Sequence, residues 1–132
     1  MRTIRIFLIV QIALFAAAAL MHFGILIGGH RHPQARIAET VIGVVLLAGL
    51  LWTLIRPASA RVVAIAVQVF ALLGTGVGIF TIIVGIGPRS RLDVAFHTCM
   101  VIALVAGLII AMKTSPPAAA RAPLAKSAHR SG

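Results

Sequence analysis

Four apolar runs, 6–29, 37–55, 62–86 and 92–112, take up most of this chain, and each has the roughly 17–25 residues a helix needs to cross a bilayer. In hydrocarbon every backbone N–H and C=O must find a partner within the protein, so an isolated run of this length folds as a helix. The fold that follows is all-α, an integral membrane four-helix bundle with short loops. Composition agrees, because 61% hydrophobic and 11% charged residues, at a mean hydropathy of +1.11, leave too little polar surface to cover a soluble core.

The start of the chain has the outline of a secretory signal, with Arg2 and Arg5 ahead of an apolar stretch and small residues at 17–19. The run continues to Gly29, too far for a signal core, and is read as an uncleaved first span. Charge is read by position. Arg2, Arg5, Arg56, Arg61, Lys113, Arg121, Lys126 and Arg130 fall on one side of a four-span arrangement, and Arg31, Arg36, Arg89 and Arg91 on the other. The positive-inside rule then puts both termini in the cytoplasm and the loops 30–36 and 87–91 outside, with a bacterial inner membrane as the expected location. The formal charge of +10 does not indicate nucleic acid, since the basic residues are scattered and have no aromatic residues between them. Residues 113–132, basic and rich in alanine and proline, read as a disordered cytoplasmic tail. The lone Cys99 rules out an internal disulfide framework.

Local signals mark the element ends. Pro33 suits the first turn of the second span, and Arg56 with Pro57 marks a turn after which Ser59 is placed to cap the third. Trp52 fits the interfacial aromatic belt. Ser90 followed by Asp93 has the spacing of a capping box at the start of the fourth span. Gly74 and Gly78, and Ala103, Gly107 and Ala111, form small-residue ridges that allow close helix approach, either inside the bundle or against another protomer or membrane partner.

Polar residues inside the spans carry the functional signal. An eleven-residue step turns a helix to within about 20° of its starting face, so Gln11 and His22 share a face, and Gln68 lies level with Gln11 and can pair with it. Measured from the ends of the apolar runs, His22 lies about 10 Å below the outer surface, and Glu39 and His97 about 9 Å. His22, Glu39 and His97 therefore form a candidate ligand or proton-relay cluster in the outer leaflet, supported by Asp93, Gln11 and Gln68. Asp93, four residues before His97, can orient that imidazole, and Arg36 lies one turn from Glu39. His30 and His32 are read as part of a solvated outer loop.

Three readings of the cluster are open. It is a polar plug setting helix register in an accessory or interaction protein. Alternatively, His22 and His97 hold b-type haem, or with Glu39 a divalent metal, in an electron-transfer protein. In the third reading it handles protons or a solute as part of an oligomeric transporter. Catalysis has no motif behind it, since no HExxH and no phosphate loop occur.

Overall fold

A computed structural model of the protein describes residues 1–114; the tail expected at 113–132 lies almost wholly outside the described residues. Four helices follow in order, α1 (Arg2–His22), α2 (Pro33–Ile55), α3 (Ala60–Ile83) and α4 (Arg91–Lys113), with a single 3-10 turn, Pro57–Ser59, leading into α3. All four are long and apolar enough to cross a membrane, and no strand occurs among the described residues. Each helix packs against its neighbours in sequence, and α4 closes the ring against α1. The diagonal pair α1 and α3 meets at only a few positions.

The buried residues explain this arrangement. They recur every three or four residues: Ile4, Leu8, Gln11, Phe15, Ala18 and His22 on α1, and Asp93, His97, Met100, Leu104, Gly107 and Ala111 on α4. That is the spacing of a bundle seam, one stripe per helix turned inward. The outward faces are apolar too, with Val62, Leu73, Ile83 and Ile102 exposed, as a lipid-facing surface requires.

Helix α1 stops at His22, not at Gly29. Gly24 adopts φ +76°, a left-handed conformation that terminates helices, and the chain turns back so that the His32 N–H reaches the His22 carbonyl at 3.1 Å. Helix α3 ends in the same way, with Gly85 at φ +86°. The segment after Gly24 remains apolar and exposed at Ile25 and Leu26, so hydrophobicity alone does not reveal that the helix has ended. His32 is also not a free loop residue: it is the N-cap of α2, its Nδ1 accepting the Ala35 N–H, with Pro33 in the first turn as expected.

Arginines satisfy carbonyls at helix C-termini, where four C=O groups lack partners within the helix. Arg5 donates to Thr53 O at 2.6 Å, Arg61 to Ala111 O and Met112 O, and Arg89 to Ile82 O and Ile83 O. Ser59 is the N-cap of α3 without a side-chain cap bond; its hydroxyl instead accepts from the Trp52 indole at 2.9 Å.

A polar layer crosses the middle of the bundle. Gln11 Nε2 donates to Gln68 Oε1 at 2.8 Å and to Ala103 O at 2.9 Å, and Gln68 Nε2 donates to Ala64 O. Gly107 makes room for this pair, because a Cβ there would collide with both amides. The small-residue ridge of α4 is thus used inside the chain, as Ala111 is also fully buried. Gly74 likewise packs closely under Ile42 of α2, whereas Gly78 borders a cavity, with the His97 ring at ordinary contact distance from where a Cβ would stand.

Candidate functional site

His22, Glu39 and Asp93 meet at the end of the bundle that carries the 23–32 and 84–90 loops. His22 Nδ1 lies 2.8 Å from Glu39 Oε2, and His22 Nε2 lies 3.2 Å from Asp93 Oδ1. The seam geometry brings them together: His22 is the last inward residue of α1, and Glu39 and Asp93 are the first inward residues of α2 and α4. All three are almost inaccessible, at 2%, 4% and 1% exposure.

Hydrogen-bonding capacity restricts where the protons of this cluster can sit. Ionised carboxylates only accept hydrogen bonds, so satisfying both contacts takes either an imidazolium between two carboxylates or a neutral imidazole with one protonated carboxyl. The two forms differ only in where a proton sits, and both carry one net negative charge; an imidazolium beside one carboxylate and one protonated carboxyl would keep the same contacts with no net charge. Arg36 does not neutralise the negative charge, since its guanidinium lies over the Phe23 ring, 5.0 Å from the centroid. Among the described residues, the only ion-pair contacts of Glu39 and Asp93 are those to His22.

Asp93 has two tasks. Its Oδ2 accepts the Ser90 N–H at 2.9 Å and the Ser90 hydroxyl, while its own N–H donates to Ser90 Oγ at 3.1 Å, completing the capping box. Its Oδ1 is left for His22. The start of α4 and the cluster therefore share one side chain.

His97 reaches the same region but makes different contacts. Its Nδ1 bonds the backbone carbonyl of Asp93 at 2.8 Å rather than the Asp93 carboxylate. A carbonyl only accepts, so Nδ1 carries the proton and, in the neutral ring, Nε2 presents a lone pair. That nitrogen lies 3.5 Å from where a Cβ on Gly78 would stand.

Between α2 and α3, on the side of Glu39 and His97, is a cavity of about 320 Å³. It has a local origin. The two helices approach closely where Gly49 faces Val67 and Gly74 faces Ile42, and beyond that the next inward position of α3 is Gly78, which has no side chain to fill the gap. Ile42, Val77, Ile82 and Met100 give apolar walls, and Thr75, Thr81, Glu39, His97, His32 and Gln34 give polar points. A second, almost wholly apolar cavity of about 350 Å³ lies between α1 and α2, and Glu39 and Phe15 line both. Glu39 Oε1 is buried and has no hydrogen-bond partner, an expensive arrangement for a carboxylate oxygen.

Of the residues expected to form the cluster, His22 and Glu39 are joined directly and His97 lines the neighbouring cavity. Gln11 and Gln68 pair in a separate layer deeper in the bundle, as their depth predicts. Asp93, read from the sequence as a helix cap and as an orienter of His97, is the second partner of His22. The contribution of His32 to the cavity is invisible in the sequence, because it depends on the chain turning back at Gly24. The arrangement does not suit axial ligation of haem, since both nitrogens of His22 face carboxylates. Nor do three or more His, Cys, Asp or Glu side chains form a metal-holding group among the described residues. No protein-family model matches this chain, and no curated protein or solved structure does either.

Proposed function

We propose that this is a small multipass protein of the cell membrane, with both termini cytoplasmic, that binds a small lipophilic molecule in the cavity between α2 and α3. The observation that carries this reading is Glu39 Oε1, a buried carboxylate oxygen without a partner, on a residue that walls the cavity. A charged acid within a span costs roughly 2.5–3.5 kcal/mol on insertion scales, so an incompletely satisfied one is expected where it has work to do. The volume lies at the lower end of the roughly 300–1,000 Å³ typical of small-molecule sites, and apolar walls with a few polar points are their usual lining.

Native mass spectrometry of the protein released from its own membranes tests this reading. The expected result is a bound small molecule in the unaltered protein that is depleted in Gly78→Leu, whose side chain fills the cavity. Equal occupancy of the two proteins, or none in either, would sink it. The orientation is tested separately with a tag after Gly132, expected to be accessible only from the cytoplasmic face.

The cluster also supports a second reading, as a proton path. Glu39, His22, Asp93 and the Ser90 hydroxyl form an unbroken series of hydrogen-bonding contacts from the cavity wall to the α3–α4 loop. Proton flux in liposomes that persisted undiminished in His22→Phe would count against it.

A further inference from the structure

Most of the polar lining of the cavity has one sign, and this identifies the chemical class of ligand. Thr75 donates its hydroxyl proton to Ala71 O at 2.8 Å, and Thr81 donates to Gly78 O at 2.7 Å, so both oxygens have only lone pairs left to offer. His97 has a proton on Nδ1, committed to Asp93 O, and in the neutral ring offers a lone pair at Nε2. Glu39, a carboxylate, is an acceptor with one oxygen unpartnered. Of the polar side chains that line the cavity, Glu39, Thr75, Thr81 and His97 therefore present acceptors. Two lining residues hold donors: Gln34, which is exposed, and His32, half-buried like Thr81, whose Nδ1 accepts the Ala35 N–H and whose Nε2 carries the proton in the neutral ring.

Charge agrees with donor count. Among the described residues, the titratable side chains around Glu39 are His22 and Asp93 in the cluster, and His97 and His32 in the cavity lining. Two of the arginines at this end are engaged elsewhere, Arg36 over Phe23 and Arg89 on the carbonyls of Ile82 and Ile83, and neither Arg31 nor Arg91 pairs with Glu39 or Asp93 among the described residues. With one proton shared between His22 and the two acids beyond the neutral ring's own, the cluster carries one net negative charge, and Glu39 is its cavity-side member. A ligand that supplies several N–H donors and one positive charge on an apolar body matches both features. A carboxylate or phosphate matches neither, and a hydroxyl supplies a single donor and no charge.

Building on the cavity-binding reading above, we infer that the ligand is a lipophilic primary amine in its ammonium form. Its N–H groups meet Glu39 and the His97 lone pair, and its apolar body lies along Ile42, Val77, Ile82 and Met100. The preference for the ammonium comes from the four acceptors and the uncompensated charge, whereas the cavity itself accepts any small apolar body.

Calorimetry on the full chain in zwitterionic nanodiscs at pH 7 tests this, with empty nanodiscs as the correction for partitioning. The probes are 4-butylbenzylamine, its neutral counterpart 4-butylbenzyl alcohol, and 4-butylbenzoate. The expected result is binding of the amine about tenfold or more tighter than the alcohol, the scale of a charge-assisted hydrogen bond, and no measurable binding of the benzoate. Glu39→Gln is expected to bring the amine to the level of the alcohol. Equal affinity for amine and alcohol in the unaltered protein overturns the inference about class while leaving the cavity reading intact, and is the outcome if the cluster takes up an extra proton instead. Failure of all three probes to bind overturns both. The comparison of amine with alcohol uses only the unaltered protein, so it decides the question even if Glu39→Gln does not fold.

Discussion

His22 and His97 are both intramembrane histidines near one acid pair, yet the structure gives them unequal energetic weight. Removing the His22 ring leaves Glu39 and Asp93 facing each other with no cation between them. Breaking a buried pair in this way typically costs about 3–5 kcal/mol. Removing the His97 ring loses one bond to a backbone carbonyl, worth about 1 kcal/mol. His22→Ala is therefore expected to lower stability in detergent several times more than His97→Ala, as read from denaturation midpoints of the two variants. Equal losses would contradict the assignment of His22 as the centre of the cluster. This asymmetry was not legible in the sequence. Depth along each helix follows from residue count and placed the three groups together, but which nitrogen faces which oxygen depends on helix rotation, and no count of residues encodes that.

At the scale of elements, two helix features have measurable consequences. Ser90 caps α4 and also holds the Asp93 carboxylate, so Ser90→Ala is expected to cost about 1 kcal/mol from the cap. It should also increase amide exchange over the first turn of α4, which hydrogen exchange would detect. Gly107 faces the Gln11 and Gln68 amides with no space for a methyl group. Gly107→Ala should then destabilise by about 1–3 kcal/mol, and part of that penalty should vanish in a Gln68→Ala background, where one of the two obstructing amides is gone and the Gln11 amide has lost its partner and can shift. An unchanged penalty in the double variant would show that the collision lies elsewhere. The capping box and the proline at the start of α2 were legible because they are local, set by residues three or four apart. The end of α1 was not: the residues after Gly24 continue the apolar pattern, and only the backbone conformation of that glycine reveals the turn.

For the whole molecule, four span-length apolar runs were enough to specify an all-helical bundle, because hydrocarbon leaves the backbone no other choice. The pairing of Gln11 with Gln68 was also legible, since both lie midway along their spans. The cavity was not, because it depends on which α3 glycine lies against an α2 side chain and which one, Gly78, borders the gap. In the sequence the same glycine reads as half of a tight-packing motif. The order of the helices has a further consequence, for how the protein is made. Glu39 and His22 lie on the first two helices, so they can meet as soon as that hairpin leaves the ribosome, as one carboxylate and one imidazolium with no net charge. The negative charge of the finished cluster arrives only with Asp93, on the last helix to be synthesised. A chain truncated after residue 59 should accordingly insert into microsomes less efficiently when His22 is replaced by alanine, and regain efficiency when Glu39→Gln is added.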